Sequence, residues 1–193
     1  DKPQIRRTAI LCAAFCLLWV PTTVLAQTQL GADIDGEAPG DASGSVSLSA
    51  DGNRLAIGAP GNDANGMNSG HVRVYEWSGS TWTQFGADID GEAANDGSGE
   101  SVSLSSDGNR LAIGAPGNDA NGMDSGHARV YEWAGSTWVQ LGADIDGEAA
   151  GDNFGRSLSL SSDGNHLAIG TPHNDDIGTK LGHVRVYQWS GTA

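Results

Sequence analysis

The sequence predicts an all-β chain of β-propeller-type blades, each of four antiparallel strands, in about three repeats of 55–56 residues belonging to a larger or incomplete propeller. Three observations predict it. GADIDGEA recurs at Gly31, Gly86 and Gly142, and a fixed period of this size marks a solenoid, a propeller or an array. Each period holds four strand-like stretches bounded by Gly, Asp, Asn or Ser. No stretch after residue 26 keeps a helical apolar spacing over three turns.

The chain divides into a signal peptide at 1–26 and repeats over 27–193, running approximately 31–85, 86–141 and 142–193. Lys2, Arg6 and Arg7 precede the apolar run Ala9 to Val20, and Pro21 and the small-residue end at Ala26 follow it. At about 12 residues the run is too short for a comfortable membrane span, so it reads as an export signal rather than an anchor. Cleavage removes both cysteines, Cys12 and Cys16, so no disulfide supports the exported domain. It also removes three basic residues and one acidic residue, moving the net charge from −14 to −16. Nucleic acid and anionic lipid are thereby disfavoured as partners, because both need clustered Lys and Arg. After cleavage no membrane insertion is expected.

In the first full repeat the strands follow in order. Ser45–Ser49 alternates strictly, with Val46 and Leu48 on one face and serines on the other. Asp51-Gly52 suits a tight hairpin, since both positions tolerate positive φ. Arg54–Ala59 sets Leu55 and Ile57 against Ala56 and Gly58. A long loop leads to His71–Trp77, and the turn Ser78 to Thr81 to a fourth strand, Trp82–Ile89. Strands with one bulky and one small face pack best as a ring in which each bulky face meets its neighbour's small face, because stacked sheets leave only about 10 Å to fill. Gln27–Ile34 matches a fourth strand, and the chain stops after a third strand near Ala193, so an N-terminal strand completing the last blade is expected. Three blades fall short of the four to eight typical of closed propellers. Further repeats or self-association are expected to close the ring.

These residues resemble the FG-GAP repeats that build the integrin α-subunit N-terminal propeller. "FG" stands at Phe154-Gly155, with Ser43-Gly44 and Ser98-Gly99 in the other copies; "GAP" stands at Gly58-Ala59-Pro60 and Gly114-Ala115-Pro116, with Gly170-Thr171-Pro172 as a variant. The cadence also looks like a WD-repeat blade. The resemblance covers nearly everything after Gln27 and implies a secreted or cell-surface module for recognition or adhesion. Metal-binding relatives carry an acid-rich loop between FG and GAP. Here that loop keeps one carboxylate per copy, Asp51, Asp107 and Asp163, with Arg54, Arg110 or His166 nearby, so the hairpins are expected to be metal-free.

A second acidic group recurs. Asp33, Asp35, Glu37 and Asp41; Asp88, Asp90, Glu92 and Asp96; and Asp144, Asp146, Glu148 and Asp152 alternate carboxylates as a calcium site would. Their glycine falls at the fourth position, unlike an EF-hand loop, so turns with acids accepting backbone N–H groups are the stronger expectation. No cofactor is expected, with calcium the only candidate ion. Asp63, Asp119, Asp124, Asp175 and Asp176 fall in the long loops, which read as plain connections.

Catalysis needs unlike groups converging at one point, whereas the polar residues here come in triplicate. His71, His127 and His183 are expected to be hydrogen-bonded within or between blades, and Arg73, Arg129 and Arg185 to pair with acids. Trp77 with Trp82, and Trp133 with Trp138, flank hairpin turns and suit cross-strand packing better than sugar stacking, with Trp189 as the third-copy counterpart. Arg156, His166, His173, Asp176 and Lys180 are the residues an enzyme would have to draw on, being confined to one copy. The expected function is an exported, non-catalytic repeat module that binds an extracellular protein or glycan through its loops. A structural array spacing other domains, and the propeller part of a secreted hydrolase or lyase, are the alternatives.

Overall fold

The computed structural model describes residues 27–175 and 181–191; the signal-peptide reading of 1–26, and Asp176 and Lys180, lie outside the described residues. Among the described residues every regular element is a strand. The first sheet holds β1 (Ser45–Leu48), β2 (Arg54–Ala59), β3 (His71–Trp77), β4 (Trp82–Gln84) and β5 (Ile89–Asp90). The second holds β6 (Ser101–Leu104), β7 (Arg110–Ala115), β8 (His127–Trp133), β9 (Trp138–Gln140) and β10 (Ile145–Asp146). The third holds β11 (Ser157–Leu160), β12 (His166–Thr171) and β13 (His183–Gln188). Each is an antiparallel meander, β1-β2-β3 and its counterparts, so the all-β blade architecture is what the chain adopts.

The expected fourth strand differs. Trp82–Ile89 is two short strands, β4 and β5, that pair with opposite ends of β3. The cause lies in the next blade. Gly86 sits at φ 90°, where a β-carbon would come within 2.9 Å of Trp133, and the Phe85 carbonyl accepts a 3.1 Å bond from Trp138 Nε1. Phe85 N still donates to the Val74 carbonyl of β3 at 2.7 Å, but its carbonyl is turned to the neighbouring indole, and the pairing lapses between β4 and β5. The N-terminal Gln27–Ile34 shows the same effect and forms no strand: the Leu30 carbonyl accepts from Trp82 Nε1 at 3.1 Å, and Gly31 lies beneath Trp77. This segment therefore caps the outer part of the first blade rather than completing the third, whose sheet stops at β13.

Register gives each sheet two unlike faces. Ser45 and Ser47 pair with Gly58 and Ala56, which pair with Val72 and Val74; the opposite face carries Val46, Leu48, Leu55, Ile57, Arg73 and Tyr75. The small face of the first blade receives the bulky face of the second. Ala56, Val72, Val74 and Ile89 form one core with Val102, Leu104, Leu111, Ile113, Tyr131 and Trp138. The next interface repeats it: Ala112 and Ala128 meet Leu160, Leu167 and Ile169, with Phe154 added. Serines on the small face also bond across, Leu104 N donating to Ser47 Oγ and Leu160 N to Ser103 Oγ, both at 2.9 Å.

Candidate functional site

Loops gather at two ends of the blades. One end carries the β1–β2 and β3–β4 hairpins and their counterparts; the other carries the long β2–β3 loops and the acidic connections from one blade to the next.

The hairpins are built as self-contained turns. Asp51 accepts from Ser49 Oγ at 2.6 Å and from both Asn53 nitrogens at 2.9 Å, and Asp107 and Asp163 repeat the set. These hydrogen bonds, led by the serine hydroxyl, hold the Asp163 carboxyl down at about 2. Arg54 leaves its own hairpin, donates to the Gly108 carbonyl at 3.2 Å and to Asn109, and lies 4.1 Å over the Phe85 ring. Arg110 does the same to Gly164 and Asn165. The guanidinium thus crosses to the next blade's hairpin.

At the other end the acidic groups separate into three roles. Asp41, Asp96 and Asp152 are buried turn acids. Asp41 Oδ2 accepts from Ala38 N at 2.9 Å, Glu37 N at 3.2 Å and Asn62 Nδ2 at 3.3 Å; Asp96 and Asp152 each accept from one turn N–H and one Asn amide. Burial on its own raises the Asp41 carboxyl, yet these bonds hold it below the ordinary value. Asp35 and Asp90 serve through their backbone carbonyls, which accept from Arg73 and Arg129 at 2.9 Å. Asp33 accepts from Gln29 Nε2 at 2.7 Å, and Asp146 pairs with His127 in the ladder. The four acids of one repeat do not meet at one point. Instead Glu37 from the first copy meets Asp88 from the second around His71, and Glu92 from the second meets Asp144 from the third around His127; in each trio the facing atoms lie within 4.8 Å of one another.

This convergence is what the sequence reading missed. The histidines were expected to be hydrogen-bonded, but neither ring nitrogen of His71, nor Nδ1 of His127, nor Nε2 of His183 has a hydrogen-bond partner. The reason is geometric: the facing carboxylate oxygens stop 3.8–4.0 Å short of the imidazole. Burial lowers the affinity of His127 for a proton, helped by Arg129 and opposed by Glu92 and Asp144. The near-equal spacing of Glu37, His71 and Asp88 and of Glu92, His127 and Asp144, which differ by one residue, is visible in the sequence; that they meet is not.

The arginines pair as expected, Arg73 with Glu37 at 3.5 Å, Arg129 with Glu92 at 3.4 Å, and Arg185 with Glu148. Trp77 faces Trp82 and Trp133 faces Trp138 directly across β3–β4 and β8–β9, with ring centroids 5.3 and 5.5 Å apart. Of the single-copy residues that are described, Arg156 reaches Glu100 at 3.8 Å, His173 Nδ1 lies 2.6 Å from Asn153 Oδ1, and His166 opens β12, so these three do not share a partner. An apolar cleft between the second and third sheets is lined by Val130, Leu141, Ile145, Leu167, Tyr187 and Trp189. Leu141 and Trp189 hold the positions of Phe85 and Trp133, and at the preceding interface Trp138 fills this space.

A family model described as the FG-GAP repeat matches residues 88–131 and 144–187. No curated protein sequence matches the chain. Among solved structures, a candidate 6-phosphogluconolactonase from Bacteroides fragilis NCTC 9343 superimposes with a TM-score of 0.51 at 15% identity, covering 76% of this chain and 38% of that one. Kuenenia stuttgartiensis hydrazine synthase gives 0.48 at 16% identity, covering 76% of this chain and 34% of that one. The chain spans well under half the length of these structures. The Bacteroides likeness concerns the fold alone.

Proposed function

We propose that the chain is an exported, non-catalytic propeller module that recognises an extracellular or cell-surface protein or glycan, a reading supported by the match of residues 88–131 and 144–187 to the FG-GAP repeat. The rim carrying the long β2–β3 loops is the binding face. The observation that supports this reading is a pair of methionines held out at matching loop positions. Met67 and Met123 are 63% and 71% exposed, and each backbone is pinned to the next blade, Asn95 N donating to the Met67 carbonyl and Gly151 N to the Met123 carbonyl at 2.8 Å. Pinned backbone with an outward thioether is a costly placement for a large apolar side chain, and flexible methionines suit adaptable binding surfaces. Around them the same rim presents Asp63, Asp119 and Asp124, so the partner surface is expected to be apolar at its centre and basic or hydroxyl-rich at its edge.

A screen of the full chain against immobilised glycans and extracellular proteins tests this. Binding is expected, and Met67→Lys with Met123→Lys is expected to abolish it while the far-UV spectrum stays unchanged. Binding that survives both substitutions would move the recognition face elsewhere. Hydrolysis or lysis lost on substituting His173 or Arg156 would instead favour the enzymatic reading.

A further inference from the structure

We propose that Glu37, His71 and Asp88, and again Glu92, His127 and Asp144, form two equivalent sites for a borderline divalent transition ion of the zinc class. His71 is 1% exposed and neither ring nitrogen makes a hydrogen bond. An imidazole stripped of water and left unbonded costs stability, because its lost hydration is repaid by no partner. Its Nδ1 points between Glu37 Oε2 at 3.9 Å and Asp88 Oδ2 at 4.0 Å. In the second trio His127 Nδ1 stands 3.8 Å from Glu92 Oε2. Ligand atoms about 2.0–2.1 Å from a tetrahedral ion lie about 3.3 Å apart, so Glu37, Asp88 and Glu92 have to close on the imidazole by roughly 0.6 Å, and Asp144, whose facing oxygen lies within 4.8 Å, by somewhat more. Glu37 and Asp88 are exposed enough along their side chains to do so.

The other oxygen of each carboxylate is already held. Arg73 Nη1 donates to Glu37 Oε1 at 3.5 Å, and Gln84 Nε2 donates to Asp88 Oδ1. In the second trio Arg129 donates to Glu92 Oε1 at 3.4 Å and Gln140 to Asp144 Oδ1 at 2.6 Å. Outer partners that fix one oxygen and leave its twin facing the imidazole are how ligating carboxylates are oriented. With Arg73 counted, the two carboxylates leave one net negative charge beside a divalent ion, too little for calcium, which also wants six to eight oxygens and no nitrogen. Water fills the fourth position in this geometry.

The full chain is equilibrated with Zn2+ or Co2+, dialysed, and its metal counted, with the Co2+ visible spectrum recorded. Two equivalents are expected, with a spectrum of nitrogen and oxygen ligands and no thiolate band from Cys12 or Cys16. His71→Gln and His127→Gln are each expected to lose one equivalent and the double variant both. Because a buried histidine can be needed for folding, Asp88→Asn with Asp144→Asn serves as the second test: the fold is expected to remain and both ions to be lost. Gln84→Leu is expected to weaken one site by about 10–100-fold. No retained ion in the unsubstituted chain, or ions that persist in either double variant, would overturn the proposal.

Discussion

Gly58 and Gly114 leave no room for a β-carbon, and the reason is another blade. A methyl on Gly58 would stand 2.0 Å from the Gly99 carbonyl oxygen, and one on Gly114 2.0 Å from that of Gly155. Neither glycine has positive φ, so close approach alone demands it. The glycine of each "GAP" therefore rests against the glycine at the following "FG" position, and the two halves of this repeated pattern are the two sides of one seam. Gly114→Ala must push sheets apart, and forcing atoms into a packed contact costs about 1–3 kcal/mol. Denaturant unfolding is expected to show at least that loss, whereas Gly79→Ala, with open space around it at φ 93°, reports backbone strain alone and provides the comparison. Phe154, buried where the other copies have serine, is a residue whose letter announced its burial; Ser98, equally buried, gave no such sign.

At the scale of elements the hairpins carry a pH dependence whose sign follows from their hydrogen bonds. The Asp163 carboxyl is lowered from 3.8 to about 2, and those of Asp51 and Asp107 are lowered as well, with the serine hydroxyl the leading cause in all three. A group depressed in the folded state stabilises it above the unfolded value and loses that contribution as pH falls through the folded value. The β11–β12 hairpin is thus expected to hold its stability down to about pH 4 and lose it towards about pH 2. Unfolding midpoints measured from pH 5 to pH 2 for the chain and for Asp163→Asn should differ most at pH 5 and converge near pH 2. A constant difference would remove the ionised carboxylate from the explanation. The outer strands show the limit of reading elements from periodicity. Trp82–Ile89 reads as one strand in the sequence, and only the contact with Trp138 of the next blade turns the Phe85 carbonyl and Gly86 away from β3.

For the whole molecule the two end faces are complementary. Val46 of the first blade is 62% exposed, while its counterpart Val102 is buried; Val184 and Val186 of the third are each 68% exposed, while Val72 and Val74 are buried. The bulky face at one end is of the kind that the small face at the other receives within the chain. We expect another sheet of the same kind, from further repeats or a second copy, to cover each end. Sedimentation of the chain alone should reveal concentration-dependent self-association. Burying one valine is worth about 1.5–3 kcal/mol, so Val46→Asp or Val184→Asp should weaken it by more than about tenfold. A chain that stays monomeric at high concentration, with or without these substitutions, would leave further repeats as the cover.

Period, strand order and the alternation of bulky and small faces were legible in the sequence, because they depend on spacing along one chain and on side-chain size. So were the Trp pairs and the Asp-Gly hairpins, whose partners lie within a few residues. What only the tertiary structure decided involves residues 34 to 53 positions apart in the chain: Gly58 against Gly99, Trp138 on Phe85, and Glu37 brought to His71 and Asp88. A repeat states what each blade contains. The offset between neighbouring blades, which sets which copy's carboxylate faces which copy's imidazole, follows from how closely the sheets can pack and is written in no single repeat.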